Sequence, residues 1–265
     1  MKKFVLTNDN YFSSDAQKIY TGSSEIKAFL ECEACALAKI KGEWIEETSK
    51  SMLVSSYIDA WMSDELEEFK ELNPDIFLKS GELKADYKLA NNVIEQIKAD
   101  PMFLKYISGQ NQVVMTGEIS GVPVKIKIDS FFPDKAIVDL KSMATLDLQW
   151  SDKEKKKLNF IDNYRYTLQA ALYQEIVRQN TGKQLPFIIA VCTKEKYSRR
   201  ALLQIPQDIM DSELQFLKEY LPHLQKVKTG EITPTTCNEC DYCISRQKVD
   251  CIYYHDDFFK KEVKI

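Results

Sequence analysis

Residues 122–141 decide the fold, and they read VPVKIKIDSFFPDKAIVDLK. Hydrophobic and polar side chains alternate with a period of two on both sides of segment 132–135, whose Phe-Pro-Asp-Lys composition is typical of a turn. The pattern predicts two antiparallel strands, at about 122–131 and 136–141, and a similar alternation predicts a third at about 112–119. We therefore expect a three-stranded antiparallel meander in the middle of the chain.

The alternation assigns the side chains of this meander to two faces. The valines and isoleucines at even positions of the second strand share one face and are expected to enter the core. Asp129 therefore points away from the core, beside Lys125 and Lys127. In the third strand, Asp139 and Lys141 are two residues apart and must lie on one face. Folding the hairpin about its turn then places Asp129 nearly opposite Asp139.

Two carboxylates and one ammonium group at a single point form a candidate metal site. Two close carboxylates raise each other's pKa unless a cation neutralises them. Together with the backbone carbonyl of Leu140, Asp129 and Asp139 would supply the oxygen ligands that Mg²⁺ or Mn²⁺ prefers. Lys141 would then orient the metal-bound water or help to deprotonate it. The alternative interpretation is a surface hairpin with an ordinary Asp–Lys ion pair.

The segments around the meander predict helices before it and both helices and strands after it. Helices are expected at about 24–39, 51–72 and 82–99 before the meander, and at about 160–180 and 206–228 after it. Strands are expected at 187–192 and 201–205. This order is typical of an α/β or α+β fold, with a central mixed sheet flanked by helices. We expect one domain over residues 1–265, with a helical N-terminal part at 1–110, a catalytic core at 111–228 and a cysteine-bearing tail at 229–265.

Composition narrows the class of protein. The 265 residues carry a net charge of −4, which is unusual for a protein that binds nucleic acid, so we expect positive charge to be local, beside an acidic cleft. With only two histidines, His-rich zinc sites and Ser-His-Asp catalysis are not expected. No apolar run suits a membrane span or a signal peptide. A reducing, cytoplasmic location is therefore expected, where the seven cysteines are thiols or metal ligands rather than disulfides.

Asp129, nine intervening residues and then Asp139-Leu-Lys141 resemble the active-site pattern of the PD-(D/E)XK nuclease superfamily. In the predicted helix that follows, Gln169-Ala-Ala-Leu-Tyr173 resembles the Gln-x-x-x-Tyr element of the RecB-like branch. Across most of its length, the chain resembles the phage and prophage RecE-type exodeoxyribonucleases. The stretches that carry this resemblance are Ser24-Glu-Ile-Lys-Ala-Phe-Leu-Glu-Cys32, Leu53-Val-Ser-Ser-Tyr-Ile-Asp59, Gly117-Glu-Ile-Ser-Gly-Val-Pro-Val124, Ile137-Val-Asp-Leu-Lys141, Gln169 to Tyr173, and Cys237-x-x-Cys240-x-x-Cys243.

This resemblance implies an activity and partners. The activity is metal-dependent hydrolysis of linear double-stranded DNA from its ends, with Mg²⁺ or Mn²⁺ as the cofactor. Gln169 and Tyr173, one helical turn apart, would position the substrate. The implied partners are DNA ends, a phage single-strand annealing protein, and further copies of the chain in a ring. The alternatives are a non-catalytic DNA-binding or assembly protein on a nuclease scaffold, and a nuclease with another substrate, such as an endonuclease.

One position departs from the RecB-like pattern. Enzymes of that branch often carry a metal-binding histidine on an upstream helix, and this sequence has Asp59 in the corresponding setting. A carboxylate is a suitable ligand for a hard cation. Asp59 is therefore a candidate metal ligand, its alternative being a solvent-facing helix residue, and Glu118 is a further candidate.

The C-terminal cysteines predict a second metal site. Cys237, Cys240 and Cys243 have the thiolate spacing of bacterial [4Fe–4S] ferredoxins. In AddB and the CRISPR-associated relatives, one N-terminal cysteine joins three C-terminal ones, and the resemblance assigns that position to Cys32. Cys251 is the alternative fourth ligand. A structural Zn²⁺ ion is the second interpretation, and a tail of free thiols is the third.

Overall fold

A computed structural model describes residues 4–151, 154–249, 252, 254 and 255. Within these residues the chain forms eleven α-helices and seven β-strands, with one short 3₁₀ turn. None of the described helices combines the length and the apolar composition that a membrane span requires.

The central sheet contains five of the described strands. Their bounds are β1 Gln110–Ile119, β2 Val122–Phe132, β3 Ala136–Met143, β6 Phe187–Thr193 and β7 Arg200–Gln204, while β4 Gln149–Ser151 and β5 Lys156–Leu158 form a separate small hairpin. The spatial order is β1-β2-β3-β6-β7, and all neighbours are antiparallel except β3 and β6, which run parallel. The sheet is therefore mixed, which confirms the predicted fold class.

Helices cover both faces of this sheet. Their bounds are α1 Ser14–Ile19, α2 Ser23–Glu31, α3 Glu33–Ile40, α4 Lys50–Met62, α5 Leu66–Leu72, α6 Ala85–Lys98, α7 Pro101–Ile107, α8 Phe160–Asn163, α9 Tyr166–Thr181, α10 Gln207–Thr229 and α11 Asp241–Ser245. Helices α2, α3, α9 and α10 contribute to the larger apolar core on one face. Helices α4, α6 and α7 form the smaller core on the other face.

The strands that carry the predicted site are anchored by these two cores. Every residue of β6 is buried, as expected for a central strand that helices cover on both faces. In β3, Ile137 packs in the larger core, whereas Val138 and Leu140 pack in the smaller one. Because β3 packs against helices on both faces, its side chains, including Asp139 and Lys141, have well-defined positions.

Three predicted helices are broken where the sequence pattern continues. The segment 24–39 breaks at Cys32, which is extended at φ −161° and caps α3 through its sulfur. The segment 51–72 breaks near Asp64, and 160–180 breaks at Arg165, both of which have left-handed backbone conformations. Apolar spacing runs through each break, so periodicity alone did not reveal them.

Further elements, among them α1, α7 and α11, were not predicted. Helix α7 begins at Pro101, a position where the missing N–H of proline removes no hydrogen bond. The hairpin of β4 and β5 was not predicted, since strands of three residues are too short for alternation to be seen.

Strands β2 and β3 separate where the predicted site residues lie. Their described pairing ends at Ser130↔Val138, one step before Asp129 and Asp139 would face each other. Beyond that point the free edge of β2 is covered by Thr21, which forms backbone hydrogen bonds to the strand on both sides of Val124. The sheet therefore forks, and the fork opens a cleft.

Candidate active site

The fork brings Asp129, Asp139 and Lys141 to one point. Asp129 is held by the backbone N–H of Leu140, which donates a hydrogen bond of 2.9 Å to its Oδ2 atom. This bond continues the connection between the strands after their backbone pairing has ended. The two acids are thus fixed relative to each other by the sheet itself rather than by a mobile loop.

The two carboxylate oxygens of Asp139 have different partners. The side chain is buried, and Oδ1 accepts a hydrogen bond of 2.8 Å from Nε2 of Gln169. Oδ2 lies 2.6 Å from Nζ of Lys141 as an ion pair. A carboxylate oxygen can accept more than one partner, so Oδ2 can bind a further cation beside Lys141.

The pKa values of Asp129 and Lys141 reflect the close packing of charged groups at the fork. Burial raises the pKa of Asp129 well above its usual range, and the charge of Asp139 raises it further. Burial alone would lower the pKa of Lys141, but the carboxylates of Asp139 and Asp129 outweigh it and raise that pKa above the ordinary value. The Lys141 ammonium group interacts with both carboxylates, which repel each other, and a further cation bound beside them would relieve that repulsion.

Asp59, on α4, faces the same group from across the cleft. Its side chain is exposed to the cleft, yet the surrounding protein desolvates the carboxylate and raises its pKa to about 6. The charge of Lys141 lowers this pKa and that of Asp139 raises it, which places Asp59 within electrostatic reach of both. The structure therefore brings the predicted third carboxylate to the cleft.

The predicted Gln–Tyr pair lies on the face of α9 that packs against the fork. Gln169 donates to Asp139 as described, and the hydroxyl of Tyr173 donates a hydrogen bond of 3.1 Å to the carbonyl of Lys127. Both side chains are buried. In this structure Gln169 positions Asp139 and Tyr173 binds β2. That either residue contacts the substrate stays a prediction.

Two functional candidates were missed by the sequence reasoning. Lys27, on α2, donates a hydrogen bond of 3.0 Å to Oε1 of Gln169, which fixes the amide so that its N–H groups face Asp139. The ring of Tyr166 contacts two lysines, with its centroid 4.6 Å from Nζ of Lys27 and 5.1 Å from Nζ of Lys141. Burial and the neighbouring Lys141 lower the pKa of Lys27 to about 7. Tyr166 lies three residues before Gln169, so helical spacing was the signal that could have found it.

Two other predicted ligands have different outcomes. Glu118 is exposed near the end of β1 that is remote from the fork, where its backbone pairs with Gln179, so the structure does not bring it to the group. The strand pattern could not show this, because residues on one strand face can still be several residues apart along it. Leu140 is buried between Asp139 and Lys141 in β3, and its carbonyl stays a predicted ligand.

The cleft has the shape and the donors for a divalent cation and a phosphate. Its volume is about 540 Å³, and its walls include Asp59, Asp129, Asp139, Lys127 and Lys141. Carboxylate oxygens are the donors that Mg²⁺ or Mn²⁺ prefers. The lysines supply the local positive charge that a phosphate group requires on an acidic protein. The residues present therefore fit a hard divalent cation.

The second candidate centre is a cluster of four thiols. The sulfur atoms of Cys32, Cys237, Cys240 and Cys243 lie within 4.8 Å of one another. Cys32 and Cys243 are 3.5 Å apart and Cys237 and Cys243 are 3.9 Å apart, measured between sulfur atoms. Backbone N–H groups donate to the sulfur of Cys237 from Glu239 and Cys240. The structure thus brings together the N-terminal cysteine and the three C-terminal ones.

Glu33 holds the cysteine-bearing tail against the helices. One of its carboxylate oxygens accepts two hydrogen bonds from Thr235, and the other lies 2.7 Å from Nε2 of His223 on α10. Burial raises the pKa of Glu33, but these hydrogen bonds outweigh it and lower that pKa below the usual range. Cys251, the alternative fourth ligand, lies outside the described residues.

Comparisons with known proteins show what the chain as a whole is similar to. The model of a family described as a PDDEXK-like domain of unknown function, DUF3799, matches residues 22–246. A crystal structure from Eubacterium rectale, described as "Putative exonuclease", is 40% identical, covers 97% of this chain and 98% of that chain, and has a TM-score of 0.90. The crystal structure of SSO0001 is 14% identical, covers 83% of this chain and 91% of that chain, and has a TM-score of 0.31, too low to bear on the fold. No curated protein matches the chain.

Proposed function

The chain belongs to the PDDEXK-like family DUF3799, and from this premise we propose that it is a metal-dependent nuclease that hydrolyses phosphodiester bonds of DNA at the sheet fork. The observation that carries the proposal is the convergence of Asp129, Asp139 and Lys141 there, where the buried carboxylate of Asp139 forms an ion pair with Lys141 and can accept a further cation. An ordinary surface ion pair would leave neither acid buried.

Each residue has a separate task in this proposal. Asp129 and Asp139 would hold the cation, with Asp59 and the carbonyl of Leu140 as further ligands. A divalent cation bound there supplies a more acidic water and positive charge beside the phosphate. Lys141 is positioned by its ion pair with Asp139 to donate hydrogen bonds to the attacking water or to the phosphate. Gln169 keeps Asp139 oriented through its amide.

The more specific proposal is an exonuclease that degrades linear double-stranded DNA from its ends. It rests on the resemblance to RecE-type enzymes and on the description of the protein from Eubacterium rectale, which is 40% identical to this chain. The same resemblance supports a role in phage-type recombination, with a single-strand annealing protein as partner and a ring of several copies as the assembly. Mg²⁺ is the proposed cation, with Mn²⁺ as its substitute.

The test compares linear duplex DNA with covalently closed circular DNA, with Mg²⁺ or with a chelator. The proposal predicts loss of the linear substrate alone, in the presence of Mg²⁺ alone. Asp139→Asn should lower the rate by more than about a hundredfold, because losing a metal ligand costs more than losing a residue that orients one. Asp134→Asn is the matched control, because Asp134 lies in the exposed β2–β3 turn and pairs with Lys183.

Each of the other possible results supports a different function for the chain. Cleavage of the circular substrate would contradict the exonuclease assignment and indicate an endonuclease on the same scaffold. Binding of DNA without cleavage, with Mg²⁺ and with Mn²⁺, would indicate a non-catalytic DNA-binding or assembly protein. Equal activity in Asp139→Asn and Asp134→Asn would remove the fork from the chemistry.

We propose further that the four-thiol cluster binds one structural Zn²⁺ ion. Four thiolates at about 2.3 Å from a tetrahedral zinc are about 3.8 Å from one another, and the separations of 3.5 Å between the sulfurs of Cys32 and Cys243 and 3.9 Å between those of Cys237 and Cys243 are close to this. A [4Fe–4S] cluster binds each thiolate to a different iron and so holds the sulfurs further apart. Elemental analysis of anaerobically purified protein should give one zinc per chain, whereas iron with brown colour would identify the cluster instead.

A further inference from the structure

A glutamine inside β1 has an unusual backbone conformation beside the fork. Gln112 has φ 53°, in the left-handed region, and the register of β1 with β2 places it opposite Asp129. Pairing of the two strands runs from Gln110 to Ile119 and is interrupted at Gln112. The other non-glycine residues with positive φ in the described part of the chain all lie outside strands.

The residues around Gln112 hold this conformation in place. The side chain of Asn111 donates a hydrogen bond of 2.9 Å to the carbonyl of Met62 at the end of α4. At Gly109 the backbone is so close to β2 that a Cβ atom would lie 2.7 Å from the carbonyl oxygen of Phe131. A left-handed backbone is unfavourable for any residue with a Cβ atom, and it persists where the surroundings impose it. Such conformations are concentrated at functional sites.

The side chain of Gln112 is half-buried and lines the cleft together with Asp59, Asp129 and Lys141. None of the hydrogen bonds among the described residues involves its amide. We propose that Gln112 is a substrate-positioning residue whose amide N–H donates a hydrogen bond to a phosphate oxygen of the DNA strand in the cleft. This inference rests on the proposed nuclease function and adds one contact to it.

The chemistry of the cleft favours a phosphate as the acceptor. An amide is neutral, so it does not repel the carboxylates of Asp59 and Asp129. It also does not repel a bound metal ion, as a positively charged side chain would. Phosphate oxygens are the commonest acceptors in protein–DNA interfaces, and contacts to them position the strand without reading its sequence. Because Gln112 lies opposite Asp129 in the register, a phosphate on a cation held by Asp129 comes within reach of the amide.

The first test is Gln112→Gly, which removes both the amide and the backbone strain. We expect KM for a linear duplex to rise about tenfold with kcat within about twofold, as for a lost binding contact, while the thermal midpoint rises or stays the same. The matched control is Ser120→Gly, at φ 49° in the turn between β1 and β2. It should relieve strain in the same way and leave KM unchanged. Gln112→Asn, which keeps an amide and tolerates this backbone, should restore part of the affinity.

The second test measures binding alone, by fluorescence anisotropy of short blunt duplexes with Ca²⁺ in place of Mg²⁺. Gln112→Gly should weaken binding about tenfold, equally for A·T-rich and G·C-rich ends. Unchanged KM and Kd would overturn the inference, and weakening confined to one base composition would overturn the phosphate assignment. If the wild-type protein binds but does not cut, weaker binding by Gln112→Gly still supports the contact while the nuclease proposal fails. If the wild-type protein does not bind DNA, both fail.

Discussion

The chain carries two groups of candidate metal ligands, and they are built in opposite ways. At the fork, Asp129 and Asp139 come from neighbouring strands and line an open cleft together with Asp59. In the thiol cluster, Cys32 meets three cysteines of the C-terminal tail, and their sulfur atoms close around one point. An open set of hard oxygen donors suits an ion that exchanges ligands during a reaction, whereas a closed set of thiolates suits one that holds the fold.

The largest expected effect is a loss of stability when a cysteine of the thiol cluster is replaced. Cys243→Ala should lower the free energy of unfolding by about 3 kcal/mol or more, because structural zinc binding contributes directly to folding. Cys35→Ala is the control, since Cys35 is buried in the same apolar cluster but is not one of the four grouped thiols. Urea unfolding of both variants checks this. Equal losses of unfolding free energy in the two variants would mean that the thiols contribute only by packing. The contrast drawn between the two sites would then be wrong.

The next effect concerns the orientation of Asp139. Gln169→Leu should lower DNA cleavage about a hundredfold, as is usual when a group that orients a metal ligand is removed. Gln174→Leu is the matched control, because Gln174 is a buried glutamine of the same helix that bonds to Leu185 and Gln207, away from the cleft. It should lose stability but keep its activity per folded molecule. Similar activity losses in both variants would contradict an orienting role for Gln169.

A smaller effect follows from the raised pKa values of Asp129 and Asp59. The folded chain keeps protons on these acids at pH values where the unfolded chain has released them, so stability without divalent cations falls as pH rises. We expect the thermal midpoint to drop by about 3 °C between about pH 6 and about pH 8 from this source. Asp129→Asn should reduce the drop, and stabilisation by Mn²⁺ should grow with pH. If the thermal midpoint of Asp129→Asn depends on pH as that of the wild-type protein does, Asp129 is not the source of the drop.

The smallest expected effect is at Tyr173. Tyr173→Phe removes the hydrogen bond to the carbonyl of Lys127 but keeps the ring, which packs edge-on against Phe187. The loss of stability should be about 1 kcal/mol, with cleavage lowered less than about threefold. A much larger loss of activity with unchanged stability would show that the hydroxyl contacts the substrate instead.

The sequence predicted what depends on local period and register. The alternation in 122–141 predicted the hairpin of β2 and β3, whose last described pair, Ser130↔Val138, lies one step from Asp129 and Asp139. The mixed sheet also followed from the order of elements. Both rest on side-chain spacing, which a single sequence records directly.

What the sequence did not predict depends on tertiary contacts. The fork arises because Thr21 takes the place of β3 beside β2, and no local pattern encodes that pairing. The contact of Lys27 with Gln169 joins two helices 142 residues apart in the chain. The left-handed conformation of Gln112 likewise follows from its packed neighbours, since glutamine has no preference for it.

The most direct test of the account is isothermal titration calorimetry of Mn²⁺ into protein whose thiol site is already loaded. The account predicts that the wild-type protein binds Mn²⁺ more tightly at about pH 8 than at about pH 6, and that Asp139→Asn abolishes this binding while Asp134→Asn leaves it unchanged. Equal binding by the wild-type protein and Asp139→Asn would show that the fork does not hold the cation, and the proposed chemistry would fail with it.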